Sequence, residues 1–205
     1  MKNKPIIIVA GEPNSIFFEI FLKSIKFKKY KSPLILICSK NDFQRQMKKL
    51  KVKKNLFVID INNLKKIKLS NKKINLIDIN LKRSSNGKLT TQLSKKYITK
   101  SFDAAFKLIK DGISNKLING PINKKKFLNK KFPGITEFIA DKFNKKKIGM
   151  IIYNENLSVS PLTTHLPLKM VSKMITQKLI KEKIIMIDSF FKKNFKFKPR
   201  IGVTG

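Results

Sequence analysis

The sequence is short of the residues that most often build chemistry. Among 205 residues it has one cysteine and one histidine, and 12 acidic side chains against 47 basic ones. The single Cys38 excludes an internal disulfide and fits a reducing cytosol, so the protein is expected in the cytoplasm. One histidine alone is no metal site, because catalytic zinc takes about three protein ligands. No apolar run reaches the ~20 residues of a membrane span, which sets a membrane role aside. A G-x-G-x-x-G loop, a nucleophile elbow, an internal repeat and a flexible linker are all missing.

The basic excess gives a formal net charge of +35. Arginine occurs only at 45, 83 and 200, so nearly all of it is lysine. With abundant Asn and Ile, this reads as the translation of an AT-rich genome. That bias accounts for Lys over Arg but not for the shortage of acids, which leaves a nucleic-acid or anionic-surface partner open. Against such a partner, the lysines are spread over the whole chain and interleave with no aromatic RNA-binding motif.

What is present alternates strand and helix signals. "PIIIVAG" (5–11) and "SPLILICS" (32–39) are short apolar runs of the buried-strand type. "NLFVIDI" (55–61) and "INLIDIN" (74–80) continue the series. Asn14 and Ser15 are placed to cap a helix carrying Ile16, Ile20, Phe21 and Ile25, and Asn41 or Asp42 to cap the next. "SSNGK" (84–88) is a turn, and 90–111 predicts a longer helix stopped by Gly112. "KLING" (116–120) is a further strand. "KKIGMIIYN" (146–154) and "LSVSPLTT" (157–164) predict a strand pair, 168–193 one or two helices, and "RIGVTG" (200–205) a last strand. Strands separated by helices give an α/β fold with a largely parallel sheet. The N-terminal run meets Glu12 and Pro13 without a cleavage site, so it reads as the first strand and not as a signal peptide.

Four motifs carry the chemistry, each expected to follow or open an element at one sheet edge. Gly11-Glu12-Pro13 places a carboxylate after the first strand, although alone it is an ordinary tight turn. Gly120-Pro121-Ile122-Asn123-Lys124 follows the "KLING" strand, and Lys124 is a point charge within reach of an anion. Gly134-Ile135-Thr136-Glu137-Phe138 opens a helix, where Thr136 is placed as a cap and backbone N–H groups suit a phosphate or carboxylate. Glu137 is one of only five glutamates. His165, in "LTTHLPLK", is read as ending a strand, with flanking hydroxyls to orient its ring.

Together and in this order, the motifs resemble the 4-hydroxythreonine-4-phosphate dehydrogenase family of pyridoxal phosphate biosynthesis. The matching residues are Gly11-Glu12-Pro13 with Ile16, Glu19 and Ile20; Gly87-Lys88; Gly120 through Lys124; Gly134 with Thr136-Glu137-Phe138; and Thr163-Thr164-His165-Leu166-Pro167-Leu168. The resemblance covers the whole chain but about the first two-thirds of the family's length. The sequence is therefore expected to be the N-terminal part of a two-lobed dehydrogenase, its lobes interleaved in sequence, and to be inactive by itself. Family members continue from a strand like "RIGVTG" into an Asn-Pro-His-Ala-Gly loop that carries a second metal histidine.

The resemblance implies an isocitrate/isopropylmalate-dehydrogenase-like fold and a homodimer. It implies NAD or NADP as cofactor, a divalent metal (Zn, Mg or Co), and a small phosphorylated hydroxy-amino acid as substrate. The substrate's hydroxyl is oxidised and the resulting 2-amino-3-oxo acid loses CO₂. His165 is then a metal ligand and Thr136 a substrate contact, with Lys124 a further basic contact and Glu12 a cofactor contact. Three positions depart from the family. Ile135 stands where the family has a histidine beside its phosphate, Asn14 through Phe18 replace a glycine-rich stretch, and Asn119 replaces a threonine. Ile135 opens the alternative of a related dehydrogenase acting on another hydroxy acid.

Overall fold

Five short apolar runs pair into one wholly parallel sheet. The computed structural model describes residues 4–27, 30–129 and 131–204. The chain divides into two units, Met1–Lys130 and Lys131–Gly205.

The first unit holds the sheet. Its strands are β1 (Ile6–Val9), β2 (Leu34–Cys38), β3 (Leu56–Val58), β4 (Ile74–Asp78) and β5 (Leu117–Asn119), in the order β3-β4-β2-β1-β5. The helices are α1 (Phe17–Phe27), α2 (Lys40–Lys49), α3 (Thr91–Lys110) and α4 (Lys124–Leu128). β1, β2 and β4 are nearly continuous Ile, Leu and Val because helices cover both faces, as in doubly wound folds. On one face Ile8, Leu36, Cys38 and Leu76 pack with Phe17, Phe21 and Leu22 of α1 and with Phe43 and Met47 of α2. The neighbours that alternate with them in each strand point to the other face, where α3 packs on β1 and β2.

Helix ends follow local chemistry. Thr90 caps α3 by accepting from the Leu93 N–H at 3.3 Å, and Gly112 ends it at φ +73°. Ser39 caps α2 by accepting from the Asp42 N–H. That corrects the expectation of Asn41 or Asp42, both of which lie inside the helix. The α1 stripe is also displaced. Ile16 and Ile20 are exposed, while Phe17, Phe21 and Leu22 face the core. The bulkier aromatic row has taken the buried side.

The second unit contains α5 (Ile135–Lys142), α6 (Leu168–Met174) and α7 (Gln177–Phe195). Thr176 caps α7, and rings of Phe191, Phe195 and Phe197 cluster at its end with Tyr153 stacked on Phe195. The expected strand pair in 146–164 shrinks to one antiparallel bridge, Ile152 with Val159, closed by two hydrogen bonds of 2.8 and 3.0 Å. Residues 200–204 of the expected last strand join no ladder, and Gly205 lies outside the described residues. Apolar alternation makes a strand only where a neighbour pairs with its backbone. Among the described residues no helix is long and apolar enough to cross a membrane.

Candidate functional site

Parallel register sets one group of candidate residues in the first unit. Val9 of β1 lies beside Asn119 of β5, so the loops that follow these strands leave the same sheet edge together. The Gly120 N–H donates to the Val9 carbonyl at 2.8 Å, and the Glu12 N–H donates to the Pro121 carbonyl at 2.7 Å. This approach leaves no space for side chains. A Cβ on Gly11 would strike the Pro121 carbonyl oxygen, and one on Gly120 would strike that of Ala10. Gly11 also has φ +81°, in the region that favours glycine.

Glu12 is held inside this junction. Its Oε1 accepts from the Ser94 hydroxyl of α3 at 2.8 Å, and its Oε2 accepts a longer bond, 3.4 Å, from the Asn123 N–H. The carboxylate therefore ties three segments: the β1–α1 loop, α3 and the β5–α4 loop. Lys124, the first residue of α4, is exposed beside the same loop, and Asn123 caps that short helix by accepting from the Lys126 N–H.

A pocket of about 470 Å³ opens next to Glu12, lined among others by Gly11, Ile16, Arg45, Lys49 and Tyr97. It lies where open α/β sheets take ligands, at the carboxyl ends of their strands. Two of the chain's three arginines, Arg45 and Arg83, meet on the carboxylate of Asp42 at its border, the latter at 3.1 Å. The Tyr97 hydroxyl accepts from the Ser39 N–H at 3.0 Å. Burial pushes the Tyr97 hydroxyl and the Cys38 thiol above their usual ranges, with the negative charges of Asp78 and Asp42 adding to the Cys38 shift. A buried, protonated Cys38 is no nucleophile.

The second unit carries a separate group of candidate residues. Gly134, in extended backbone, is the N-cap of α5 and offers no side-chain cap bond. Thr136 is thus the second helical residue and not the cap, which corrects the expectation. Its side chain is exposed at the amino end of α5, where N–H groups and the helix dipole favour an anion. Ile135, half-buried in the same turn, has no hydrogen-bonding group to offer.

His165 sits in a bend and not at a strand end, since the strand expected before it is a single bridge. It is exposed and has φ +58°, uncommon for a residue with a side chain. Its imidazole reaches back to α5: Nε2 is 3.2 Å from the point a Cβ on Gly134 would occupy, and Glu137 Oε2 is 2.6 Å from that point. Glu137 Oε2 is itself buried and has no hydrogen-bond partner.

The structure therefore joins Glu12 to the Lys124 loop, and separately joins His165 to the Thr136 helix. Three features escaped the sequence reading. The Glu12–Ser94 bond spans 82 residues and had no local signal. The clasp on Asp42 left one trace, the rarity of arginine in a lysine-rich chain. The approach of Glu137 to His165 left only the scarcity of glutamate. Among the described residues no group of three or more His, Cys, Asp or Glu is placed to hold a metal ion. An exposed imidazole backed by an orphaned carboxylate oxygen fits one corner of such a site, with His165 as the ligand.

Comparison with known proteins follows from this geometry. A family described as "Pyridoxal phosphate biosynthetic protein PdxA" matches residues 29–205. The 4-hydroxythreonine-4-phosphate dehydrogenase of Sulfurihydrogenibium sp. (strain YO3AOP1) is 32% identical over 97% of this chain and 61% of its own length. That of Aquifex aeolicus (strain VF5) is 30% identical over 99% of this chain and 62% of its own. The chain thus spans about three-fifths of the length of these curated relatives. Among solved structures, the 4-hydroxythreonine-4-phosphate dehydrogenase of Burkholderia phymatum superposes with a TM-score of 0.77 at 20% identity, covering 98% of this chain and 62% of that one. The Klebsiella pneumoniae enzyme gives 0.75 at 23% identity, over 93% and 59%. With the parallel five-stranded sheet, these likenesses establish the α/β fold of the isocitrate/isopropylmalate-dehydrogenase type.

Proposed function

The chain belongs to the pyridoxal phosphate biosynthetic protein PdxA family, and on that premise we propose that it serves as a 4-hydroxythreonine-4-phosphate dehydrogenase. The reaction is NAD- or NADP-dependent oxidation of 4-(phosphooxy)-L-threonine to a 2-amino-3-oxo acid that loses CO₂. It takes place in the cytoplasm, in a homodimer of two-lobed subunits. The observation that carries this reading is the meeting of His165, in the Thr163–Leu168 motif, with the start of α5 at Gly134, in the Gly134–Phe138 motif.

Each residue then has a task. His165 is the ligand this chain offers to a divalent ion, through an exposed residue whose ring reaches the start of α5. The amino end of α5, with the Thr136 hydroxyl, receives the anionic end of the substrate. Lys124, on the sheet-edge loop, adds a point charge for the same class of ligand. Glu12 holds that loop in shape through Ser94 and Asn123, acting on the cofactor side by fixing backbone. A bound divalent ion supplies Lewis-acid polarisation of the substrate, and a nicotinamide nucleotide supplies the hydride acceptor.

Ile135 favours a second reading, a related dehydrogenase of another hydroxy acid. An apolar side chain in the first turn of α5 removes one hydrogen bond from the anion site and suits a smaller or less charged group there.

The test is made on the complete gene product, by following reduced nicotinamide with 4-(phosphooxy)-L-threonine and Zn²⁺, Mg²⁺ or Co²⁺. His165→Ala is expected to lower metal-dependent turnover by at least about a hundredfold, since Lewis-acid polarisation is worth several kcal/mol. Its fold, read by circular dichroism, should stay unchanged. Normal turnover in a folded His165→Ala protein makes the histidine structural. Turnover of a different hydroxy acid, with none of the phosphorylated threonine, selects the second reading.

A further inference from the structure

Among the described residues, Glu137 carries the one buried side-chain polar atom without a hydrogen-bond partner. It sits in the first turn of α5, where a carboxylate suits the helix dipole, but it folds back toward Gly134. Its Oε2 is out of reach of water and accepts no hydrogen bond. Buried carboxylate oxygens are ordinarily satisfied, so an orphaned one marks a missing donor. The polar atom facing the same gap is Nε2 of His165, and the gap exists because residue 134 has no side chain.

We infer that Glu137 is a positioning residue for His165: its Oε2 accepts a hydrogen bond from the imidazole Nε2–H and leaves Nδ1 free to bind the metal. This rests on the reading of His165 as a metal ligand. Three observations carry it. The two atoms face one point, 2.6 and 3.2 Å away, across the space that Gly134 leaves open. The enclosure of Oε2 argues against its being a ligand itself, because a hydrated ion cannot approach an oxygen that water cannot touch. And the left-handed backbone at His165 fixes where the ring is attached, leaving only its rotation to be held. Metal-bound histidines commonly hand their second ring nitrogen to a carboxylate, which sets tautomer and orientation.

In the complete gene product, long-range ¹H–¹⁵N correlation reports the imidazole nitrogens, and the pair that disappears in His165→Ala belongs to His165; spectra are recorded on the metal-free protein and during titration with Zn²⁺ alone. The expected wild-type result is an Nε2–H proton slow enough in exchange to be seen, with Zn²⁺ shifting Nδ1. Glu137→Ala should lose that proton and weaken Zn²⁺ by about 10–100-fold, at unchanged helix content. Glu137→Gln, whose amide oxygen still accepts, should keep most of both. Gly134→Ala provides a second route. Residue 134 is in extended backbone that alanine adopts freely, and the new Cβ presses only on side-chain ends, those of Glu137 and His165, so the protein folds while the pair is parted.

Glu137→Ala with the wild-type ring signal and affinity overturns the inference. So does a Zn²⁺ shift at Nε2, or a Glu137→Ala loss as complete as that of His165→Ala, which would make Glu137 a ligand. His165→Ala with unchanged Zn²⁺ affinity removes the metal reading itself, and the inference with it. Loss in His165→Ala with none in Glu137→Ala removes the inference alone.

Discussion

The two units of the chain use the same residue types in opposite ways. In the first, isoleucine, leucine and phenylalanine are spent on a core: Ile7, Ile35, Leu36, Ile37, Phe43 and Phe102 have no exposed surface. In the second, the described apolar side chains that are buried number only Phe138, Ala140 and Phe191, while Leu168 is 88% and Leu157 74% exposed. The central strands β1, β2 and β4, covered on both faces, bury nearly every apolar side chain they carry. The second unit is held by caps, a ring cluster and one bridge, and it presents the histidine. Regions with few buried apolar contacts open at lower free energy cost, and moving or ligand-binding parts are drawn from them. The closed core and the exposed histidine lie in different parts of the sequence.

The sharpest way to break this contrast is to remove one large side chain from each unit. Phe43→Ala empties a fully buried site where the rings of Phe18 and Phe21 meet, and should cost about 3–5 kcal/mol. Leu168→Ala should change stability by less than about 0.5 kcal/mol, as exposed positions do. Denaturant midpoints measure both. Comparable losses would mean that Leu168 is covered in solution, and the contrast between the units would fail.

A smaller effect tests the sheet-edge junction. Gly120→Ala places a Cβ against the Ala10 carbonyl and within 2.7 Å of the Phe17 ring, where rigid backbone cannot yield. Gly87→Ala meets nothing within 4 Å and bears only the strain of φ +74°. The first should cost several times the roughly 1 kcal/mol expected of the second, read as the difference in melting temperature. Equal costs would show that the two loops are free to part, and that Glu12 does not hold them.

How much of this was legible in the sequence follows the same division. β1, β2, β4 and α3 were readable because each is decided locally, by an apolar run or by a cap such as Thr90 with its Gly112 stop. The side of α1 that faces the sheet was misjudged, since Ile16 and Phe17 are both apolar and only packing in the core cluster, where Phe17 stacks on Phe21, decides between them. "LSVSPLTT" and "RIGVTG" have strand composition, but pairing is a property of two segments and no local pattern supplies the second. In the site, His165 and Thr136 could be named singly. Their closeness could not, because 29 positions separate them and the link runs through the missing side chain of Gly134.

The smallest expected effect concerns Cys38, in the centre of the self-sufficient unit. Its thiol has no exposed surface, and burial, with the charges of Asp78 and Asp42, raises its pKa. In the unfolded chain the thiol ionises near the usual ~8.5. Below that pH both states hold the proton and Cys38 gives stability no pH dependence. Above it the unfolded chain releases the proton while the folded one keeps it, so stability falls as pH rises, by at most about 1.4 kcal/mol per pH unit for one proton. Denaturant midpoints at pH 7 and 9.5 should therefore drop for the native sequence and drop less for Cys38→Ala, which forfeits a few contacts but nothing that titrates. In parallel, a thiol reagent at pH 8 should label Cys38 only as fast as the sheet unit unfolds, and rapidly once denaturant is added. Prompt labelling of the folded protein would mean that the sheet opens locally around β2. The first unit would then be no more closed than the second.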